Sequence, residues 1–241
     1  MALPARLTWL RTFFAPRVPL WLHAVRTGAL VVLSFLGLDR VILPALPARP
    51  LTANETQMLR EVFGKSVDYK KVRIHQSRIG DMWLGLFNTA AMTRHNMITI
   101  TRDACSADYA LCKDDATRSV FLHESVHVWQ SQNRIMPSRL VETFGHYSRI
   151  LRGISPEDHY AYSLRDGRAL TTYNIEQQAG IISDYVMYVE GKPVNDANRN
   201  MLFLNTDTLS REGYDYRADY ARVLKPFLRN PAYVRNQTAR K

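Results

Sequence analysis

The chain has 241 residues, 46% of them hydrophobic, and a formal net charge of +10, which suits one good-sized domain or one domain with an appendage. Half of that charge comes from residues 1–50, where six arginines face a single acid, Asp39. The remaining +5 on residues 51–241 favours an anionic surface or substrate. No Lys/Arg cluster is interleaved with aromatic residues, so we expect no nucleic-acid partner.

The N-terminal segment resembles an export signal or a membrane anchor. An uncharged, mostly apolar run at 27–38 follows four arginines and no acids, in the order of the positive and apolar regions of a signal sequence. The bulky Leu43 and Leu46 stand where cleavage requires a small residue. A full span of about 20 residues would have to include charged side chains. The alternatives are an uncleaved signal-anchor, a cleaved signal, and an amphipathic helix that covers the domain or lies on a membrane.

Three prolines divide this segment from the rest of the chain: Pro44, Pro47 and Pro50. They predict a stiff, extended linker. We therefore expect two parts, a targeting or anchor segment with its linker over 1–50 and a folded domain over 51–241. Membrane association would involve residues 19–46, and the protein would reside in the cell envelope, as an anchored, periplasmic or secreted form.

From residue 51 onward, local patterns predict helices with a few strands. Thr52 and Glu55 have capping-box spacing, and the helix that they begin should run to about Phe63 and end at Gly64. Polar and apolar residues alternate over 71–75 and again over 96–101, which predicts two strands.

Further helices are predicted at about 116–133, 138–151 and 172–190, with at least one more in 195–230. Cap candidates for the first of them are Asp114, Asp115 and Thr117. The fold class is therefore α+β, mainly helical, with a small sheet beside the helix of 116–133. The two cysteines, Cys105 and Cys112, are too few for a four-ligand zinc cage and would form a disulfide only in an oxidising compartment.

The most informative motif is HExxH at positions 123–127. On a helix, His123 and His127 project from one face, so that both imidazoles can bind one metal ion. Glu124 is placed to take a proton from the attacking water. The pattern is typical of hydrolytic zinc sites, although two histidines on a structural helix would give the same letters. We expect a Zn²⁺ site.

A catalytic zinc ion usually has a third protein ligand. The metzincin spacing would require a histidine at 133, but this residue is Asn133. Three candidates remain open: Glu142 and His146 on one face of the next predicted helix, and Glu176 in a partly apolar helix. Asp184 lies eight residues after Glu176, on the same helical face, and could accept the second N–H of a ligating histidine.

Several blocks of the sequence together resemble a known family: 51–64, 67–75, His123-Glu124-Ser125-Val126-His127-Val128-Trp129-Gln130, and Tyr173-Asn174-Ile175-Glu176-Gln177-Gln178-Ala179. The family is a bacterial zinc metallopeptidase domain that occurs alone or beside Rhs/Vgr-type secretion elements. The resemblance covers about residues 51–190. It implies a zincin-like fold and a gluzincin-like site, with His123, His127 and Glu176 as ligands and Glu124 as the base.

One residue departs from the pattern of the family. Related sequences tend to read EQQAE, whereas this chain has Gly180 in place of the second acid. If that acid orients a ligand, its loss weakens the support of the metal here, and Asp184 is the candidate to compensate. Candidates for a transition-state stabiliser are also left open: His146, Tyr147, His159, Tyr160 and Tyr162.

The predicted function is hydrolysis of peptide bonds in a peptide or protein substrate by a zinc-activated water. Two other hypotheses place the protein in a different functional class. One is a catalytically inactive interaction domain of the envelope that uses zinc only for stability, although an intact Glu124 argues against it. The other is a secretion-associated effector that attacks a component of the cell envelope. A catalytic site keeps an open coordination position, whereas a structural site is closed by a fourth protein ligand.

Overall fold

A computed structural model describes residues 47–77, 80–81, 84, 91–102, 107–135, 160–164, 167–191 and 215–235. Several predictions fall outside these residues. They are the anchor segment up to residue 46, the helix at 138–151, and the candidates Cys105, Glu142, His146, Tyr147 and His159. Within the described part of the chain, no helix combines the length and apolar character that crossing a membrane requires.

Four short strands form one mixed sheet: β1 (Ala48–Pro50), β2 (Arg73–His75), β3 (Ala91–Arg94) and β4 (Met97–Ile100). Their order is β1-β2-β4-β3. The central pair β2 and β4 is parallel, and the two outer pairs are antiparallel. Ile74 and Ile98 lie opposite each other in the central pair and are almost completely buried. The sheet therefore has an apolar face that must pack against helices.

Four α-helices lie in the described residues: α1 (Ala53–Phe63), α2 (Asp115–Gln132), α3 (Ile175–Val189) and α4 (Arg217–Arg229). Short 3₁₀ helices occur at Tyr69–Lys71, Tyr109–Leu111, Leu170–Thr172 and Pro231–Val234. The predicted α+β class, mainly helical with a small sheet, is confirmed. Each helix matches a stretch that the sequence pattern predicts, and for the first three the ends differ from the predicted ones by at most three residues.

The helix ends follow from local hydrogen bonds. The Thr52 hydroxyl accepts from the amide of Glu55, and the Glu55 carboxylate accepts from the amide of Thr52, which is the expected capping box. Gly64 ends α1 with a φ of 55°, a left-handed value that glycine adopts without strain. Asp114 caps α2 by accepting from the amide of Thr117.

Helix α2 is the centre of the molecule. Every residue from Phe121 to Gln130 is buried, because α2 packs against β3 and β4 and also against α3. An aromatic cluster connects its C-terminal half to α1 and α4, where Trp129 lies 6.3 Å from Phe63 and 5.1 Å from Phe227 between ring centroids. This central position makes α2 a rigid support for the polar side chains that it carries.

Residues 48–50, which belong to the predicted linker segment, form edge strand β1. The Arg49 guanidinium donates two hydrogen bonds of 2.8 Å to the Glu55 carboxylate. That carboxylate is completely buried and also accepts from the amides of Thr52 and Tyr109. The segment just before residue 51 is thus bound to the rest of the described fold.

Candidate metal centre

His123 and His127 lie one turn apart on α2 and point in the same direction. Their side chains are buried, with 4% and 6% of the residue surface exposed. The two ring centroids are 4.9 Å apart and the ring planes are nearly perpendicular, at 82°. The helical spacing therefore presents two imidazole nitrogens to one small volume, as the sequence predicts.

Glu176 lies opposite the two histidines, in the first turn of α3. Asn174 caps this helix by accepting from the amide of Gln177, so that α3 begins directly before Glu176. Glu176 Oε2 lies 3.1 Å from Nε2 of His123 and 3.1 Å from Nε2 of His127. The structure thus brings Glu176, one of the three open candidates for third ligand, to the histidines.

The donor set of these three residues fits a metal ion. One nitrogen from each imidazole and one carboxylate oxygen lie within 4.8 Å of one another. Adjacent ligand atoms of a tetrahedral zinc ion are about 3.4 Å apart, given bond lengths of about 2.0–2.1 Å. The 3.1 Å separations between Glu176 Oε2 and the histidine nitrogens are close to that value. A metal ion can therefore replace the hydrogen bonds between these groups with little rearrangement.

Electrostatics favour a shared proton when no metal ion is bound. Burial disfavours the charged imidazolium of His127, but Glu176, Glu124 and Gln130 together outweigh burial and raise the pKa of His127 to about 10. Burial likewise opposes the ionised form of Glu176, while His127 and His123 hold the pKa of its carboxyl well below the usual range. In the metal-free protein these groups form a buried ion pair.

Glu124 lies beside the ligand group on α2 and is only 8% exposed. Its carboxylate oxygen Oε2 is buried and has no hydrogen-bond partner within the described residues. The negative charge of Glu124 contributes to raising the pKa of both His127 and Tyr160, so the carboxylate faces the site. The Thr93 hydroxyl of edge strand β3 donates a 2.9 Å hydrogen bond to the backbone carbonyl of Glu124. A buried, unused carboxylate oxygen of this kind is suited to accept a proton during a reaction.

Tyr160 lies beside His123, with their ring centroids 6.2 Å apart. Burial, followed by the charges of Glu176 and Glu124, raises the pKa of its hydroxyl well above the ordinary value. The group therefore stays protonated at neutral pH and can donate a hydrogen bond. Tyr162, the other described candidate, instead donates to Asp184 and shares a 2.8 Å hydrogen bond with the Tyr220 hydroxyl.

Among the described contacts of Asp184 is a hydrogen bond with a buried tyrosine. Asp184 is completely buried on α3, where the Tyr162 hydroxyl donates to its Oδ2. Gly180, one turn earlier, faces the same tyrosine, and a Cβ atom at this position would lie 3.3 Å from the Tyr162 ring. The aromatic ring thus fills the space beside the position where related sequences carry an acid. The expected role of Asp184, accepting the second N–H of a ligating histidine, stays a prediction.

The N–H group at Nδ1 of His127 faces Gln130, a residue that sequence reasoning overlooked. Gln130 Oε1 lies 2.8 Å from His127 Nδ1, and Gln130 is fully buried. One signal was available: a glutamine three residues after the second histidine lies on the same side of the helix, within an otherwise apolar stretch. Nδ1 of His123 has no hydrogen-bond partner in the part of the chain that the structure describes.

The fold and the site together define an α+β domain in which a buried helix and its neighbour present two histidines and one glutamate, a group that can hold a metal ion.

No protein-family model matches the sequence. The chain is similar to the type VI secretion system spike protein VgrG2b of Pseudomonas aeruginosa, with 32% identity over 155 residues. This match covers 64% of the chain and only 14% of the length of the spike protein. Among solved structures, the effector domain of Pseudomonas aeruginosa VgrG2b is similar, with 27% identity and a TM-score of 0.50. That alignment covers 70% of this chain and 88% of the other.

These similarities confirm one part of the predicted resemblance, namely homology to the effector domain of a Vgr-type protein. The described helices and sheet confirm the α+β class. These findings do not extend to a zincin-like fold, to the identity of the metal or to peptidase activity, which are proposed below.

Proposed function

We propose that this chain is a secretion-associated effector with a zincin-like domain that hydrolyses peptide bonds in a peptide or protein substrate with the help of Zn²⁺. The observation that carries the proposal is the convergence of Glu176 Oε2 on Nε2 of His123 and His127, at 3.1 Å from each, beside the buried carboxylate of Glu124. A binding site without catalysis would have no use for a buried acid at this position with an oxygen that no described residue contacts by a hydrogen bond.

His123, His127 and Glu176 would hold the metal ion. Two imidazoles and one carboxylate form the donor set of many hydrolytic zinc sites, and such a set leaves one coordination position open. Zn²⁺ bound there would supply Lewis-acid chemistry, which lowers the pKa of a water molecule from about 15.7 towards 7.

Glu124 would act as the general base and then as the general acid. Its carboxylate accepts a proton from the attacking water as the new C–O bond forms, and gives this proton to the amine nitrogen as the C–N bond breaks. Burial of Glu124 supports this role, and so does its Oε2, which has no hydrogen-bond partner among the residues that the structure describes.

Tyr160 would stabilise the oxyanion that develops on the substrate carbonyl. It lies next to His123 and stays protonated, as a hydrogen-bond donor must. Edge strand β3 would bind the substrate in extended form, since Thr93 connects this strand directly to Glu124. A peptide that pairs with β3 would carry its backbone past the base.

The effector part of the proposal is supported by homology. The solved relative is an effector domain, and this chain covers 88% of it. Cys112 is disulfide-bonded, which fits an oxidising compartment such as the periplasm or the extracellular space. The positive charge of residues 51–241 would favour contact with an anionic envelope surface. Membrane association through residues 19–46 stays part of the proposal.

The first experiment is elemental analysis of the purified full chain beside Glu176→Ala. We expect about one zinc ion per chain in the wild type and little or none in the variant, because a two-histidine site binds weakly without its carboxylate. Absence of zinc from the wild type would refute the metal site. Full zinc retention by Glu176→Ala would reassign the third ligand to Glu142 or His146.

A second experiment separates catalysis from metal binding. The full chain is incubated with casein, an unstructured protein, and cleavage is compared for the wild type, Glu124→Gln and Glu61→Gln. Glu61 is exposed and lies on α1, so its variant is the matched control. We expect Glu124→Gln to lose cleavage and keep its zinc, and Glu61→Gln to behave as wild type. Cleavage by Glu124→Gln at the wild-type rate would refute the assigned base.

The effector role is tested by directing the chain either to the periplasm or to the cytoplasm of a host bacterium. We expect growth inhibition only from the periplasmic form, and relief of this inhibition by Glu124→Gln. Equal inhibition by the wild type and Glu124→Gln would instead support the inactive, zinc-stabilised interaction domain.

A further inference from the structure

We propose that Gln130 is a positioning residue that holds His127 in the tautomer required for metal binding and connects it to the helix that carries Glu176. This inference rests on the proposed metal site. Gln130 touches neither substrate nor metal, but it contacts one ligand directly and the backbone beside another. A chain of hydrogen bonds connects α2 and α3, and the donor and the acceptor of each bond are determined.

The chain of hydrogen bonds begins at a backbone carbonyl, which can only accept. The Gln178 amide nitrogen donates to the carbonyl oxygen of Tyr173 at 2.8 Å, so Gln178 turns its own Oε1 towards Gln130. The Gln130 amide nitrogen then donates to Gln178 Oε1 at 3.2 Å and to the carbonyl oxygen of Ile175 at 2.9 Å. With both N–H groups of Gln130 in use, its Oε1 must face away from α3.

This orientation determines the protonation pattern of His127. Gln130 Oε1 is an acceptor only, and it lies 2.8 Å from His127 Nδ1, which must therefore carry the hydrogen. In the neutral imidazole the lone pair is then on Nε2, the atom that lies 3.1 Å from Glu176 Oε2. A flipped Gln130 amide would turn an N–H group towards His127 Nδ1 and its oxygen towards the carbonyl oxygen of Ile175, and it would favour the tautomer that cannot bind a metal through Nε2.

The same side chain also sets the distance between two ligands. Ile175, whose carbonyl accepts from Gln130, directly precedes Glu176 in the first turn of α3. Gln130 therefore links His127 on one helix to the backbone next to Glu176 on the other. It holds both ligand atoms at the separation that a single ion requires.

The surroundings make this network rigid. Gln130 is fully buried and Gln178 is 4% exposed, so water does not compete for these hydrogen bonds. Nδ1 of His123, by contrast, has no hydrogen-bond partner in the described parts of the chain. Among the described residues the orientation of the ligand set thus depends mainly on the pair formed by His127 and Gln130.

The test compares two variants of the full chain, Gln130→Met and the control Gln132→Met. Gln132 lies on the same helix and makes comparable hydrogen bonds, to Asp68 and Asn96, but does not contact a ligand. Zinc affinity is measured by competition with a chromophoric chelator, and the visible spectrum is recorded after cobalt substitution. We expect Gln130→Met to raise the zinc Kd about 10- to 100-fold and to alter the cobalt spectrum. Gln132→Met should leave both unchanged.

A spectroscopic measurement addresses the tautomer itself. In the zinc-loaded wild type, long-range ¹H–¹⁵N correlation spectra should show a hydrogen on Nδ1 of His127 that exchanges slowly with water. In Gln130→Met this hydrogen should exchange faster. A wild-type His127 with its hydrogen on Nε2 would overturn the inference.

Folding and binding failures are distinguished by two further comparisons. If Gln130→Met does not fold, Gln178→Met replaces it; this change removes one acceptor of Gln130 and should raise the zinc Kd several-fold. A folded variant of either kind with the wild-type Kd and cobalt spectrum overturns the inference while the metal site stands. A wild type that binds no zinc refutes the proposed function itself, and this inference with it.

Discussion

At the scale of single residues, a proton held between His127 and Glu176 lies where a metal ion would bind. Burial lowers the pKa of His127, but its neighbours, Glu176 first among them, together outweigh burial and raise this pKa to about 10. At pH 7 the metal-free site therefore contains an imidazolium and a carboxylate, whose charges compensate each other. Since zinc binds only the neutral imidazole, metal and proton compete for His127.

The first prediction concerns this competition. Zinc binding at pH 7 should release about one proton per ion from His127, because its pKa of about 10 keeps it protonated before binding and a zinc ligand must be the neutral imidazole. Release should diminish, and zinc affinity should rise, as the pH approaches 10. Isothermal titration calorimetry in two buffers of different ionisation enthalpy measures the number of protons. Zinc binding without proton release at pH 7 would contradict the ion pair.

The second prediction separates two neighbouring tyrosines. Tyr160→Phe should lower kcat on casein by about 100-fold, the usual effect of removing one donor to a developing oxyanion, and leave the zinc content unchanged. Tyr162→Phe is the matched control. It should lower the free energy of unfolding by about 1–3 kcal/mol through loss of the buried hydrogen bonds to Asp184 and Tyr220. The kcat of folded Tyr162→Phe should not change. If kcat instead falls in Tyr162→Phe and not in Tyr160→Phe, Tyr160 is excluded as the group that stabilises the oxyanion.

At the scale of elements, the described fold depends on how β1 and α1 are joined. Glu55 caps α1, binds Arg49 of β1, and accepts from the amide of Tyr109. One completely buried carboxylate thus connects a strand, a helix and a 3₁₀ turn. Removing its counter-charge would leave a buried charge without compensation.

The third prediction compares two ion pairs that differ in burial. Arg49→Met should lower the free energy of unfolding by about 3 kcal/mol, because the Glu55 carboxylate is completely buried. Arg102→Met should lower it by less than about 1 kcal/mol, because both members of the pair with Asp81 are partly exposed to water. Urea denaturation of the full chain measures both values, and equal losses would argue against the importance of the buried pair.

At the scale of the whole molecule, the metal ion would connect the two helices at the centre of the described fold. His123 and His127 belong to α2 and Glu176 to α3, and these two helices share the most extensive contact among the described elements. An ion that binds only the folded state stabilises it by mass action.

The fourth prediction is a zinc-dependent melting temperature. Free zinc at about 1,000 times its Kd should stabilise the fold by about 4 kcal/mol and raise the Tm, and a chelator should reverse the change. Glu124→Gln should keep this response, because its carboxylate is not a ligand. His123→Ala should lose it. A Tm of His123→Ala that still rises with zinc would refute the ligand assignment.

The sequence by itself determined those features that arise from residues close together in the chain. The capping box of Thr52 and Glu55, the cap at Asp114 and the stop at Gly64 each involve partners within four residues, and all were predicted. The same holds for the facing pair His123 and His127, since four residues make about one helical turn. The α+β class followed from these local periods.

Only the tertiary structure decided which distant groups meet. Sequence reasoning left three candidates for the third ligand, and the fold brings Glu176 to His127 across 49 residues. Sequence reasoning also named Asp184 as a candidate to accept the second N–H of a ligating histidine, whereas the fold places Gln130 Oε1 at 2.8 Å from His127 Nδ1, with further partners of Gln130 lying 45 and 48 residues away. Short strands β1 and β3 likewise exist because they pair with β2 and β4. The physical reason is common to all three cases: a hydrogen bond between separate elements depends on how their faces pack, which local propensity does not encode.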